Sequence, residues 1–405
     1  MTFEGMNIDK QIMDAIRDMK IETPTEIQQK ALPPALLGKD IVAMSMTGSG
    51  KTLVFAVPIL QFVEHGKGIQ ALVLAPTREL ANQISEQFRK LSRYKKARVC
   101  EVFGGVPIEP QIHNLRTAEI VIGTPGRILD HMSRGTINFG GLKMLVLDEA
   151  DRMLDMGFID DIKDIIHNLP KKRQTMLFSA TMPDEIYFIA KRYMTDPVKI
   201  AAQRHVEKHK LQQFYYDVKG EYKLSVMQHL IETEKPSLAI IFCSTRTTTD
   251  IVARHLEQAG VEARAIHGGL TQSRRTNVLE GFHRGKPHIL VATDVAARGL
   301  DIKNVSHIFN FDIPKTADEY THRIGRTARI GKEGKAISLL SSHDHESFRK
   351  IFARFEIEKL KLDFTPKFIP MRAERRGGYG GRRPPRRGGG GGGSGYSRGP
   401  PRRRY

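Results

Sequence analysis

Short apolar, β-rich runs alternate with polar, helix-like segments along most of this chain, and that alternation confines it to an α/β architecture. Between Asp40 and Ala180 the runs are Ile41 to Met44, Ala71 to Ala75, Arg98 to Phe103, Ile120 to Ile122, Met144 to Leu147 and Thr175 to Phe178. Strands of this kind, separated by helices, predict a mostly parallel sheet covered by helices. A second series follows with Ser237 to Phe242, Ala263 to Ile266, His288 to Ala292, His307 to Phe311 and Lys335 to Leu340. The same architecture is therefore expected twice, and 405 residues are too many for one ordinary core. The expected division is a first domain over 1–203, a polar linker over 204–212, a second domain over 213–365 and a tail over 366–405. From about Met371 the composition turns to Arg, Gly, Pro and isolated Tyr, with six consecutive Gly from 388 to 393. Such a segment buries too little apolar surface to offset its ordering entropy, and disorder is expected.

Two strand ends carry chemistry. The run Met144 to Leu147 ends in Asp148-Glu149-Ala150-Asp151, which places two acids at a strand's carboxyl end, where open α/β sheets bind their ligands. Adjacent carboxylates there call for a cation. The matching half is Ser45-Met46-Thr47-Gly48-Ser49-Gly50-Lys51-Thr52, between the run Ile41 to Met44 and a helix expected from Lys51. Backbone N–H groups and the helix N-terminus of such a loop surround phosphate oxygens, Lys51 neutralises charge and Thr52 ligates magnesium. The strict pattern has Gly where this chain has Ser45, so the weight falls on the loop and the acids occurring together. Asp148 then reads as the magnesium residue, acting through the metal's water shell, and Glu149 as the group that orients or deprotonates an attacking water. The plainer alternative is an acidic N-cap on a helix beginning near Ala150, above all for Asp151. ATP with Mg2+ is the implied ligand pair.

Charge adds a partner. The chain carries 64 Lys and Arg against 45 Asp and Glu, a formal +19. Eleven Arg and one acid, Glu374, fall in 372–405, so about +10 lies there and about +9 in the rest. Both parts favour a polyanion. Cys100 and Cys243 are far apart with no paired spacing, which speaks against disulfides and a zinc site and for a reducing cytoplasm. Neither a signal peptide nor a membrane span is expected.

The motifs, in order, are similar to those of the DEAD-box RNA helicases of helicase superfamily 2. They are Pro24 to Gln28, the Lys51 loop, Pro76-Thr77-Arg78-Glu79-Leu80, Gly104-Gly105, Thr124-Pro125-Gly126-Arg127, the acids at 148–151, Ser179-Ala180-Thr181, Thr293-Asp294 through Gly299-Leu300-Asp301, and His322-Arg323-Ile324-Gly325-Arg326-Thr327-Ala328-Arg329. The match covers Phe3 to about Phe364, with Lys20-Ile21 standing where the family usually has Gly and an aromatic residue.

This resemblance implies two tandem recombinase-like domains and ATP-driven, largely sequence-independent unwinding of short RNA duplexes and remodelling of ribonucleoproteins. It implies that Gln28 reads the adenine edge, that Phe3 packs on the ring and that Asp301 contacts the ribose. Unaided, Phe3 would be a terminal core anchor and Gln28 a surface helix residue. Arg326 and Arg329 become arginine fingers on the γ-phosphate, with His322 in the coupling network; unaided, Arg323, Arg326 and Arg329 would be a solvated basic helix face. Ser179 and Thr181 would link the Asp148-Glu149 acids to the approach of the second domain. RNA-backbone contacts are implied for Pro76, Thr77, Arg78, Gly104, Gly105, Thr124 and Arg127 in the first domain. In the second they are Thr245, Arg246, Gly268, Gln272, Arg275 and Thr293. The tail, with Tyr379, Tyr396 and Tyr405, is expected to add an unselective RNA-binding arm or to dock ribonucleoprotein partners, and the core is expected to work as a monomer.

Overall fold

A computed structural model describes residues 2–45, 48–201, 211–297, 305–327 and 333–371. The first sheet contains β1 (Ile41–Met44), β2 (Ala71–Leu74), β3 (Val99–Val102), β4 (Ile120–Gly123), β5 (Met144–Leu147), β6 (Gln174–Ser179) and β7 (Val198–Ala201). The second contains β8 (Leu211–Asp217), β9 (Ala239–Cys243), β10 (Ala263–Ile266), β11 (Ile289–Thr293), β12 (His307–Asn310), β13 (Gly334–Leu340) and β14 (Glu358–Leu360). Every pairing within the two sheets is parallel.

The orders are β3-β4-β2-β5-β6-β1-β7 and β10-β11-β9-β12-β13-β8-β14. Counted from its own first strand, each sheet has the same order, so the repeat expected from the strand series is a repeat of topology. Because β6 separates β5 from β1, the loop after β6 lies between the phosphate loop and the acids. The register sets Met44 beside Ser179 and Leu147 beside Leu177.

Each sheet is sandwiched by two apolar clusters. On one face of the first, Phe55 of the helix Lys51–Phe62 meets Phe178 of β6 at 5.3 Å and Phe88 at 6.2 Å between ring centroids. Phe3, Met6, Ile12, Ile16 and Ile27 fasten the N-terminal segments onto that same cluster. Buried aliphatic and aromatic side chains on both faces are what make these short parallel strands stable, since each needs helical cover.

Three strands were not visible as apolar runs. β7 and β14 are outer strands of their sheets, and β8 carries Gln212 and Gln213 with a half-exposed pattern. Leu211 and Gln212, expected in the linker, therefore belong to β8; the rest of the expected linker lies outside the described residues. Residues 366–371, expected in the tail, are described, and Ile369 packs against the second domain's core.

Candidate active site

Gly50 has φ 90°, a left-handed conformation that opens the helix Lys51–Phe62. A Cβ there would meet Gln28 Nε2 at 2.5 Å, so glycine is required by both conformation and space. Gln28 is only 2% exposed. Its Nε2 donates to the Gly50 carbonyl at 3.0 Å and its Oε1 accepts from Thr25 N at 2.9 Å. Thr25 Oγ1 donates to the Ser49 carbonyl at 2.8 Å. The amide braces the phosphate loop from beneath, and only its second donor hydrogen and second lone pair are left for a base. The surface helix residue that Gln28 would be unaided does not describe it. Phe3 is 3% exposed within the core cluster, so its ring has almost no open face for adenine.

Lys51 Nζ lies 3.4 Å from the Ser45 carbonyl and 3.7 Å from Asp148 Oδ1. Gly48 is exposed, while Ser49 and Thr52 are half-buried; Met46 and Thr47 lie outside the described residues. Asp148 accepts from Glu149 N at 3.0 Å. Burial pushes its carboxyl up to about 6 against the pull of Lys51, and Glu149 adds to the rise. Glu149 has φ 53° and stands at the N-cap position of the helix Ala150–Asp155, where its side chain makes no cap bond. It instead pairs with Arg152 Nη1 at 2.6 Å. Burial pushes the Glu149 carboxyl up, but Arg152, Lys51 and Arg326 outweigh it and hold it down at about 2. Sequence reading missed Arg152, although acid and base at i and i+3 on a helix is a legible spacing.

Among the described residues no three His, Cys, Asp or Glu side chains gather around a metal position. One buried carboxylate, Asp148, and one hydroxyl, Thr52, beside a phosphate loop fit magnesium, which keeps most of its waters and takes phosphate oxygens.

Asp151 is no helix cap. Its Oδ2 accepts from Ala180 N at 3.1 Å, Thr181 N at 2.9 Å and Thr181 Oγ1 at 3.0 Å, and its own N–H donates to Ser179 Oγ at 3.2 Å. The hydroxyls of 179 and 181 thus hold Asp151, where Asp148 and Glu149 were expected.

The positions expected on RNA gather at helix N-termini, which attract phosphate. Thr77 caps Arg78–Leu91, Thr124 precedes Pro125–Ser133, Thr245 caps Arg246–Gln258, and Gln272 opens Gln272–His283. Gly105 has φ 74°, and a Cβ there would fall 1.9 Å from Arg78 Nη1. Arg127 donates to the Val106 carbonyl at 3.3 Å, and Arg246 lies 3.4 Å from where a Gly268 Cβ would sit. Pro76 and Thr293 are buried at strand ends. Across the cleft, Glu79 accepts from Gln272 Nε2 at 3.3 Å and faces Arg275 Nε at 3.0 Å. Burial lowers the Arg78 guanidinium, Glu79 opposes this, and Arg127 and Arg275 add to the lowering. Three converging cations around one acid form a surface suited to phosphate.

The second domain supplies the remaining cations. His322 and Arg323 close the helix Ala317–Ile324, and Arg326 follows in a turn after Gly325. The helix ends before Arg326, so the expected single helical face does not form. Arg323 and Arg326 are buried, not solvated. Arg326 lies close enough to Glu149 to lower its carboxyl, which carries the second domain's charge into the first domain's acid site. Arg329 and Asp301 lie outside the described residues.

Two halves of one topology, with an acid of the first domain under the field of an arginine from the second, define a tandem recombinase-like nucleotide hydrolase. Residues 25–189 match the DEAD/DEAH box helicase family, and residues 222–331 match the helicase conserved C-terminal domain. The chain belongs to the DEAD-box helicase family. It is 44% identical over 354 residues to the DEAD-box ATP-dependent RNA helicase CshA of Bacillus cereus, covering 86% of this chain and 67% of that protein. It is 45% identical over 347 residues to CshA of Geobacillus kaustophilus, covering 85% and 74% respectively. Among solved structures, S. cerevisiae Dbp5 bound to RNA and ADP BeF3 is similar, with 31% identity, a TM-score of 0.78 and coverage of 89% of this chain and 95% of that one.

Proposed function

We propose that this ATP-dependent RNA helicase uses ATP binding to draw its two domains across one RNA strand, opening short duplexes locally, and uses hydrolysis to release it. The observation that carries this reading is the direct contact of the two halves, where Gln272 Nε2 donates to Glu79 at 3.3 Å and Arg275 Nε stands 3.0 Å from the same carboxylate, with Arg326 of the second half also pulling down the Glu149 carboxyl of the first. The acid site is complete only when both halves meet.

Lys51 and the N-terminus of its helix take the phosphates, with the loop braced by Gln28. Asp148 and Thr52 would hold Mg2+, which when bound neutralises charge developing on the phosphate oxygens. Glu149, held ionised by Arg152, Lys51 and Arg326, orients the attacking water more than it abstracts a proton. Arg326 and Arg329 stabilise the γ-phosphate charge, and His322 and the Asp151 cluster with Ser179 and Thr181 transmit closure. On the other edge, the helix N-termini at Thr77, Thr124, Thr245 and Gln272 grip the sugar-phosphate backbone, and contacts of that kind read little sequence. The 2′-hydroxyl supplies the preference for RNA.

The Arg-Gly tail adds phosphate and stacking contacts, and the core works as a monomer. A cytoplasmic location is in keeping with Cys100 and Cys243, which are buried and free. No described helix is long and apolar enough to cross a membrane.

The test is Glu149→Gln. ATP-analogue and RNA affinities are expected to stay within about threefold of wild type, while steady-state turnover falls by roughly a thousandfold or more, as for the loss of a group that acts only in the transition state. Wild-type turnover in that variant removes Glu149 from the role. Displacement of a short RNA duplex by the wild-type protein with ATP, compared with a matched DNA duplex, tests the substrate.

A further inference from the structure

The helix Asp184–Tyr193 fills its core face with Ile186, Ile189 and Ala190. Two more large side chains, Tyr187 and Phe188, stand outside that face and are 48% and 50% exposed. Cations lie over their rings. Lys199 Nζ of β7 is 5.7 Å from the Tyr187 ring centroid, and the Arg192 guanidinium is 5.8 Å from that of Phe188 and 5.6 Å from that of Tyr193. Tyr193 in turn meets His167, at the end of the helix Ile159–His167, edge-on at 6.1 Å. Two helices and a strand thus contribute to one surface.

Topology fixes where this surface stands. β6, β1 and β7 are adjacent and parallel, with Ile41 opposite both Met176 and Val198. The chain enters β6 from 168–173 and β7 from 194–197, at the amino ends of these strands. Lys51, Asp148 and Ser179 follow or close the carboxyl ends. The surface is therefore at the opposite end of the sheet from the candidate active site. Segments 167–173 and 191–199 carry Lys171, Lys172, Arg173, Lys191, Arg192 and Lys199 against one acid, Asp196. All of these cations except Arg173 are exposed. Asp184 and Glu185 belong to the first turn of the helix, at its other end.

The core face of the helix is complete without Tyr187 and Phe188, so packing does not account for two half-exposed rings side by side. A ring with a cation near one face and solvent beside the other suits a nucleic-acid base, and the neighbouring cations suit phosphates. We propose that Tyr187, Phe188, Lys191, Arg192 and Lys199 form a second binding surface for single-stranded RNA, on the first domain and outside the cleft between the domains. Because it lies within one domain, it holds RNA whether or not the domains have closed. A long substrate thereby stays on the protein while the cleft opens. The inference goes beyond the reading of the cleft and rests only on RNA being the substrate.

The experiment is binding of fluorescent oligouridine strands about 10 and about 40 nucleotides long to the full chain with a non-hydrolysable ATP analogue; the short strand suffices for one site and the long one reaches both. Tyr187→Ala with Phe188→Ala is expected to weaken the long strand about tenfold and the short strand by less than about twofold. Tyr187→Phe with Phe188→Tyr keeps both rings and is expected to bind the long strand within about twofold of wild type. Lys191→Gln with Arg192→Gln is expected to reduce the slope of log affinity against log salt for the long strand by about 1.4, at roughly 0.7 per phosphate. Circular dichroism and thermal melting report the folded fraction, and the charge variant carries the test alone where removal of the rings prevents folding. Long-strand affinity and salt slope unchanged in the folded variants would overturn the inference and leave the surface to a protein partner. An equal loss on both strand lengths would also overturn it, since the effect then runs through the cleft. Wild type that binds neither strand would instead overturn the reading of RNA as the substrate.

Discussion

At Lys20 the chain has φ 56°. The helix Lys10–Asp18 ends there in a left-handed turn, with Lys20 N donating to the Arg17 carbonyl at 2.8 Å and Ile21 N to the Ile16 carbonyl at 3.3 Å. Lysine therefore occupies the position where the family usually has glycine without abandoning the backbone that glycine favours. Lys20→Gly is expected to raise stability by about 0.5 kcal/mol, the relief of left-handed strain less the extra freedom gained by the unfolded chain. Urea unfolding monitored by circular dichroism checks this, and a loss of stability would contradict it. Glu149 is the other strained residue that matters. Its left-handed backbone accompanies a carboxylate paired with Arg152, and nothing in the run Asp148-Glu149-Ala150-Asp151 announces that conformation. The identities of Lys51, Asp148 and Glu149 were legible because charge at a strand end has few uses; their partners were not, because contacts such as Gln28 with Gly50 join residues far apart in the chain.

Among the elements, β3 and β4 show how tightly the RNA side is built. A Cβ at Gly123 would meet the Val102 carbonyl at 2.3 Å, and that atom is backbone that cannot swing away. Gly123→Ala is expected to cost about 2–3 kcal/mol by overpacking. By parting β3 from β4, it is also expected to weaken RNA binding through Gly104, Gly105 and Thr124 more than ATP binding. Fluorescence titrations of both ligands alongside a melting curve decide it, and an unchanged melt would refute the close packing. Inner strands such as β1 and β5 were read to the residue, since burial leaves an unbroken apolar run. The strands β7 and β14 were missed because they are short and mostly exposed, with Lys199 in one and Glu358 and Lys359 in the other, whereas the outer strands β3 and β10 were still legible.

For the whole molecule, charge and topology separate. The tail beyond Met371 carries about half of the net charge, and the folded core carries the specific contacts. If the tail makes about five single-strand phosphate contacts, deleting 372–405 reduces the slope of log affinity against log salt by about 3.5, at roughly 0.7 per phosphate. RNA binding measured across a salt series for both forms checks it, and an unchanged slope would assign the tail to protein docking. ATP turnover without RNA is expected to be the same in both forms.

The sequence by itself determined a doubly repeated α/β chain, the phosphate loop, the acid pair and the basic partner surface, because strand periodicity and charged strand ends are local signals. Tertiary structure alone decided that Gln28 braces the phosphate loop and that Asp151 gathers Ser179 and Thr181. It also put Glu149 of one domain under the electrostatic pull of Arg326 of the other. Those outcomes depend on which strands lie side by side and on how deeply each charge is buried, and burial is set by the packed whole, not by neighbours in the chain.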